Sequence, residues 1–219
     1  MSNSAKPPST ADDVEIMERT SPFKGFFRVD EYRLKHRLFE GGWSGEMTRE
    51  VFERGHAVAV LLFDPDLDRV VMIEQFRIGA YAALSYEWFD DGASPWLIEP
   101  VAGIIEKGEI PEDVARRETI EETGCELKDI QPICQYLVSP GGTSESVFIY
   151  CGHVDATGAG GVHGLREEHE DIRVFSLPAE EAFKLLDEGK ANTAITIISL
   201  QWLRENHQRL RDEWGDKRA

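Results

Sequence analysis

Apolar and polar positions alternate through Tyr32, Leu34, His36 and Leu38, which makes residues 26–39 a half-exposed strand. Gly41, Gly42 and Gly45 then mark a turn, and residues 46–53 resume as a second strand, so the N-terminal part is expected to be a small antiparallel sheet. The unbroken apolar run at 57–63, the turn at Asp64-Pro65-Asp66 and the run at 69–76 predict a hairpin whose first strand is buried on both faces. Residues 80–95 mix aromatics with Asp, Gly and Ser and read as a long surface loop with room for one short helical turn. Residues 110–124 predict a helix: Pro111 suits its first turn, Glu112 and Asp113 suit its N-terminal dipole, and Gly124 suits its C-terminal cap. Strands follow near 131–138, 146–154 and 172–177, and helices over 179–188 and 194–212. Such a mixture is the pattern of an α+β protein.

Composition narrows the functional classes. The chain has 219 residues, 41% of them hydrophobic and 30% charged, enough for one medium domain with a small appendage. Apolar runs fall well short of the roughly 20 residues a membrane helix needs, so no membrane partner is expected. Residues 1–13 lack the apolar core of a signal peptide and read as a disordered tail. Cys125, Cys134 and Cys151 form no CxxC pair, which suits reduced thiols in a cytoplasm. A net charge of −17 opposes nucleic-acid binding, because phosphate backbones need basic surface. Carboxylates gathered around divalent cations would reconcile that charge with an anionic small-molecule substrate.

One segment carries such carboxylates. Gly103 and Glu109 lead through seven residues to Arg117, Glu118, Glu121, Glu122 and Gly124. On a helix, Glu118, Glu121 and Glu122 share one face, and Arg117 neutralises Glu121 but not all three. An acidic helix face is ordinarily just solvated. Here a glycine loop, a helix cap and every spacing coincide, and hard oxygen ligands one turn apart suit Mg²⁺.

Residues 103–125 resemble the Nudix box, G-x5-E-x7-R-E-U-x-E-E-x-G-U, with Thr119 and Cys125 at positions that are aliphatic in the family. Pro140, fifteen residues past Cys125, is similar to the pattern of the ADP-ribose diphosphatases within that family. So are the segments 51–65, 73–81, 162–165, 169–173 and 199–203. The resemblance implies a Nudix fold, a mixed sheet sandwiched between helices over 56–219, with a dimerising β subdomain over 14–55. It implies Mg²⁺, or Mn²⁺ in its place, held by the carbonyl of Ala102 and by Glu118, Glu122 and Glu170. Glu168 would be the general base and Glu121 a further catalytic carboxylate. Phe26, Arg49, Arg77 and Glu145 would hold a nucleoside diphosphate sugar, with Phe26 and Arg49 acting across a homodimer, while Gly103, Glu109, Arg117 and Gly124 would brace the box. Residues 82–95 form a longer loop than is usual for the resemblance. ADP-ribose is the expected substrate. GDP-mannose or another sugar nucleotide, and a non-catalytic ADP-ribose-binding module, are the competing readings.

Overall fold

The computed structural model describes residues 7–87, 92–165 and 169–215. They separate into two compact units, one comprising residues 1–56 with 137–146, the other residues 57–136 with 147–219.

The first unit carries a three-stranded antiparallel sheet in the order β1 (Val14–Lys24), β2 (Arg28–His36), β3 (Met47–Glu53). The third strand corrects the expectation of two. β1 is exposed along nearly its whole length and contains Pro22, so it lacks the apolar alternation that reveals a strand in sequence. Its pairing also shifts register twice, between Ile16 and Glu18 and between Thr20 and Phe23. What anchors it is polar. Asp30 of β2 is fully buried and accepts hydrogen bonds from Ser21 Oγ at 2.6 Å, Arg28 Nε at 2.8 Å and Arg19 Nε at 3.1 Å. These partners hold its carboxyl far below the usual carboxylate range, the Ser21 hydroxyl most of all. Residues 137–146 join this unit through Phe52 N–H, which donates to Gly142 O at 2.8 Å.

In the second unit, eight strands among the described residues form a mixed sheet. Its main path runs β10 (Gly161–His163), β11 (Ile172–Pro178), β5 (Arg69–Phe76), β4 (His56–Asp64), β9 (Ser146–His153), β8 (Asp129–Leu137). β6 (Trp96–Glu99) pairs with β5 and β7 (Val101–Ile105) with β4. β4 runs parallel to β9 and antiparallel to β5. Both faces of β4 are covered, which explains its uninterrupted apolar run. Val58, Val60 and Leu62 pack with Val114 and Ala115 of helix α2 (Pro111–Thr123) on one face. Leu61 and Phe63 pack with Phe183 of α3 (Ala179–Asp187) and Leu200, Leu203 and Leu210 of α4 (Ala194–Trp214) on the other. Asp64 closes the β4–β5 hairpin: Oδ1 accepts from the N–H groups of Asp66 and Leu67, and Oδ2 from Ala156 N–H at 2.8 Å. The short helical turn for which residues 80–95 left room is α1 (Ile78–Ala83), which follows directly after β5. No described helix is long and apolar enough to cross a membrane.

Candidate active site

Helix α2 places the acidic motif over β7. Pro111 starts it, and Gly124 ends it in the left-handed conformation (φ 70°), its N–H donating to Ile120 O at 2.9 Å. The two departures from the aliphatic pattern are accommodated by burial. The Thr119 hydroxyl donates back to Ala115 O at 2.7 Å, and Cys125 joins the core beneath the helix.

Glu118 and Glu122 turn inward, 14% and 3% exposed respectively. Glu122 Oε2 accepts from Ala102 N–H on β7 at 3.1 Å. Glu118 lies across Gly103 so closely that a Cβ there would stand 2.1 Å from its carboxyl carbon. That contact is the physical reason for glycine at the start of the motif. Burial pushes Glu118 up to about 7 and Glu122 up to about 8. Glu170 raises both further, while Arg117 works against the shift at Glu118, and Ala102 N–H and Arg77 against that at Glu122.

Arg117 serves more carboxylates than its spacing suggested. Its Nη1 lies 2.9 Å from Glu118 Oε1 and 3.0 Å from Glu121 Oε2, and its Nη2 lies 3.8 Å from Glu109. Glu109 in turn accepts from Glu106 N–H at 2.8 Å, which ties the glycine loop to the helix. Glu170 Oε2 accepts from Leu165 N–H at 3.1 Å, and Glu170 N–H donates to Leu165 O at 3.2 Å. Glu168, expected as the general base, lies outside the described residues.

Arg77, at the end of β5, directs Nε to Glu99 Oε2 at 2.8 Å. Glu99 sits on β6, is 4% exposed, and was not marked by any motif. Among the described residues no three His, Cys, Asp or Glu side chains close round a single point. One buried and one largely buried carboxylate with raised proton affinity, both in electrostatic contact with Glu170, are nevertheless a donor set that a divalent cation fits. It would supply the charge that burial leaves uncompensated.

Phe26, Arg49 and Glu145 belong to the first unit. Phe26 is 90% exposed, edge-on to Phe27 at 4.9 Å, and Phe27 meets Phe52 at 5.0 Å. Arg54 lies over Phe27 and 3.3 Å from the buried Glu145 carboxylate. Arg49 is exposed on β3, its guanidinium donating to Thr48 O.

The NUDIX domain family matches residues 53–197, and the chain belongs to the Nudix hydrolase family, whose members generally use divalent metal ions. Within it the chain is 52% identical to the ADP-ribose pyrophosphatase of Escherichia coli K12, over 93% of each chain. It is 43% identical to the Haemophilus influenzae ADP-ribose pyrophosphatase, over 92% of this chain and 91% of that one. A GDP-mannose pyrophosphatase of Escherichia coli is 34% identical, over 73% of this chain and 78% of its own. A crystal structure of an ADP compounds hydrolase superimposes with a TM-score of 0.67 at 18% identity, over 94% of this chain and 99% of that one, a likeness of fold.

Proposed function

We propose that the protein hydrolyses ADP-ribose to AMP and ribose 5-phosphate with Mg²⁺ as its cation, Mn²⁺ being the alternative. The observation that carries this reading is the 52% identity to an ADP-ribose pyrophosphatase over 93% of both chains, against 34% over a shorter span for a GDP-mannose pyrophosphatase. The intact set of acidic residues on α2 supports a catalyst over a module that only binds.

In this reading the Ala102 carbonyl, Glu118, Glu122 and Glu170 hold the cation. When bound, it neutralises the acidic site, polarises the phosphates and acidifies water. Arg77 orients the pyrophosphate through its two terminal nitrogens, since its Nε is occupied by Glu99. Glu168 takes the proton of the attacking water, Glu121 assists, and the bridging P–O bond breaks to release the two monophosphates. Phe26 stacks on the adenine, with Arg49 and Glu145 beside it. Residues 14–55 form the dimerising subdomain and 56–219 the hydrolase domain, and the exposure of Phe26, Phe23 (58%) and Phe39 (83%) supports a homodimer. The charge of −17 and the three free cysteines support a cytoplasmic enzyme with a small-molecule partner and no nucleic acid.

The test is product analysis with ADP-ribose, GDP-mannose and other nucleoside diphosphate sugars, with Mg²⁺ and with chelator. ADP-ribose should be turned over fastest, and only with the ion. Faster turnover of GDP-mannose would transfer the assignment. For the base, Glu168→Gln should lower kcat strongly at nearly constant KM, with Glu167→Gln close to wild type. The reverse ranking would move the role to Glu167.

A further inference from the structure

Gln75 is a polar residue at a core-facing position. Its strand alternates without interruption through Val71, Ile73, Gln75 and Arg77, in continuous register with β6, where Ile73 pairs with Glu99 and Gln75 with Leu97. Val71 and Ile73 pack in the core beneath α2. Gln75 follows them on that face, one pair nearer the strand end. Arg77 then reaches back along the same face to place its Nε 2.8 Å from Glu99 Oε2, so its side chain passes over the Gln75–Leu97 pair.

Gln75 is 7% exposed, and its Nε2 has no hydrogen-bond partner among the described residues. A buried amide donor left unpaired is destabilising, and native proteins leave few such groups. By the strand register the orphaned donor falls on the same face as a guanidinium that is bonded to a buried carboxylate. Arg77 also acts electrostatically on Glu122, which accepts from Ala102 N–H.

We propose that Gln75 is a substrate-binding residue: its Nε2 donates to the phosphate oxygens that Arg77 engages, and Glu99 is the positioning residue that aims Arg77. The ligand chemistry is a pyrophosphate-like anion. Gln75 contributes a neutral donor, useful where a second cation would compete with the divalent ion for the carboxylates. The inference rests on the reading of this unit as a pyrophosphatase site, and it adds a donor that no element of the acidic motif specifies.

The decisive variant is Gln75→Met, which keeps the side chain's length and removes the donor. Calorimetric titration of the full-length protein with inorganic pyrophosphate, in the presence of Mg²⁺, gives the affinity independently of which sugar nucleotide is turned over. Gln75→Met should weaken binding about tenfold, the loss of one hydrogen bond to a charged group. Its Tm should stay level or rise, because an unpaired buried donor has been removed. A residue kept only for packing would leave affinity unchanged. Gln75→Asn, which withdraws the amide by one methylene, gives the same affinity readout should the methionine variant fail to fold. Arg77→Gln is the control. If it weakens binding while Gln75→Met stays within twofold of wild type, the anion site stands and the role of Gln75 is overturned. Failure of the wild-type protein to bind pyrophosphate overturns the proposal as well. If the wild type prefers another sugar nucleotide but Gln75→Met still weakens pyrophosphate binding, only the ADP-ribose reading falls.

Discussion

Glu118 and Glu122 differ from the other acidic residues of the motif in where their charge must reside. Glu122 is bonded to β7 and buried, whereas Glu106 in the glycine loop is exposed and meets Glu109 through its backbone, its N–H donating to Glu109 Oε2 and its O accepting from Glu109 N–H. Glu122→Gln should therefore lower kcat by at least about 10²-fold, and Glu106→Gln, which removes the same charge, should have little effect. Gly103→Ala should match the Glu122 loss, because its methyl would displace the Glu118 carboxylate. Equal kinetics for Glu122→Gln and Glu106→Gln would mean that bulk charge, and not placement, governs the site. Protonation gives a second expectation. In the folded, metal-free protein Glu118 and Glu122 keep their protons to about pH 7 and 8, whereas the unfolded chain releases them near 4.5. The folded state thus binds more protons across that window, and its stability falls as pH rises from about 5 to 8. Differential scanning calorimetry of chelated protein should show Tm falling over this range. Added divalent ion should raise Tm more at pH 8 than at pH 5, and Glu122→Gln should flatten the apo slope.

Elements were legible in the sequence wherever burial imposed a period. The β4–β5 hairpin, β9 and β11 bury one or both faces and are announced by their apolar positions, β8 by Ile130 and Ile133 packed against the core, and helix α2 by its ends, Pro111 and Gly124. β1 was not legible because it buries almost nothing and is tied down by Arg19 and Ser21 reaching Asp30. Nor were β6 and β7, four and five residues long, which are too short for a pattern to repeat. At the site the motif residues were visible as spacing. Glu99 and Gln75 were not, although a polar residue at the core-facing position after Ile73 was a signal available to the eye. The buried Asp30 carries the polar anchoring of the N-terminal sheet to a test. Asp30→Asn should expose residues 14–36 to trypsin sooner than in the wild type. Because the folded carboxyl is held far below its unfolded 3.8, mainly by Ser21 and Arg19, its contribution is present above that pH. It is lost as pH falls through the folded value, so the variant and the wild type should converge in proteolytic resistance only in strong acid.

For the whole molecule, the proposed dimer is the expectation with most at stake, since Phe26 and Arg49 would act from one subunit on the other. Sedimentation at micromolar concentration should give twice the 24.7 kDa chain mass. A single-chain mass would confine those two residues to their own subunit or remove them from the site. The two register shifts of β1 carry a consequence of a different kind. An eleven-residue strand, exposed at all but one position, at the edge of a sheet would ordinarily offer a template on which further chains could add strands without limit. In β1 the row of backbone groups is broken at Met17 and again at Ser21-Pro22, and Glu15, Glu18, Arg19 and Lys24 stud what remains. No uninterrupted stretch is long and uncharged enough to nucleate a fibril. The breaks in pairing and the charges along this strand thus work against the addition of further chains at its edge.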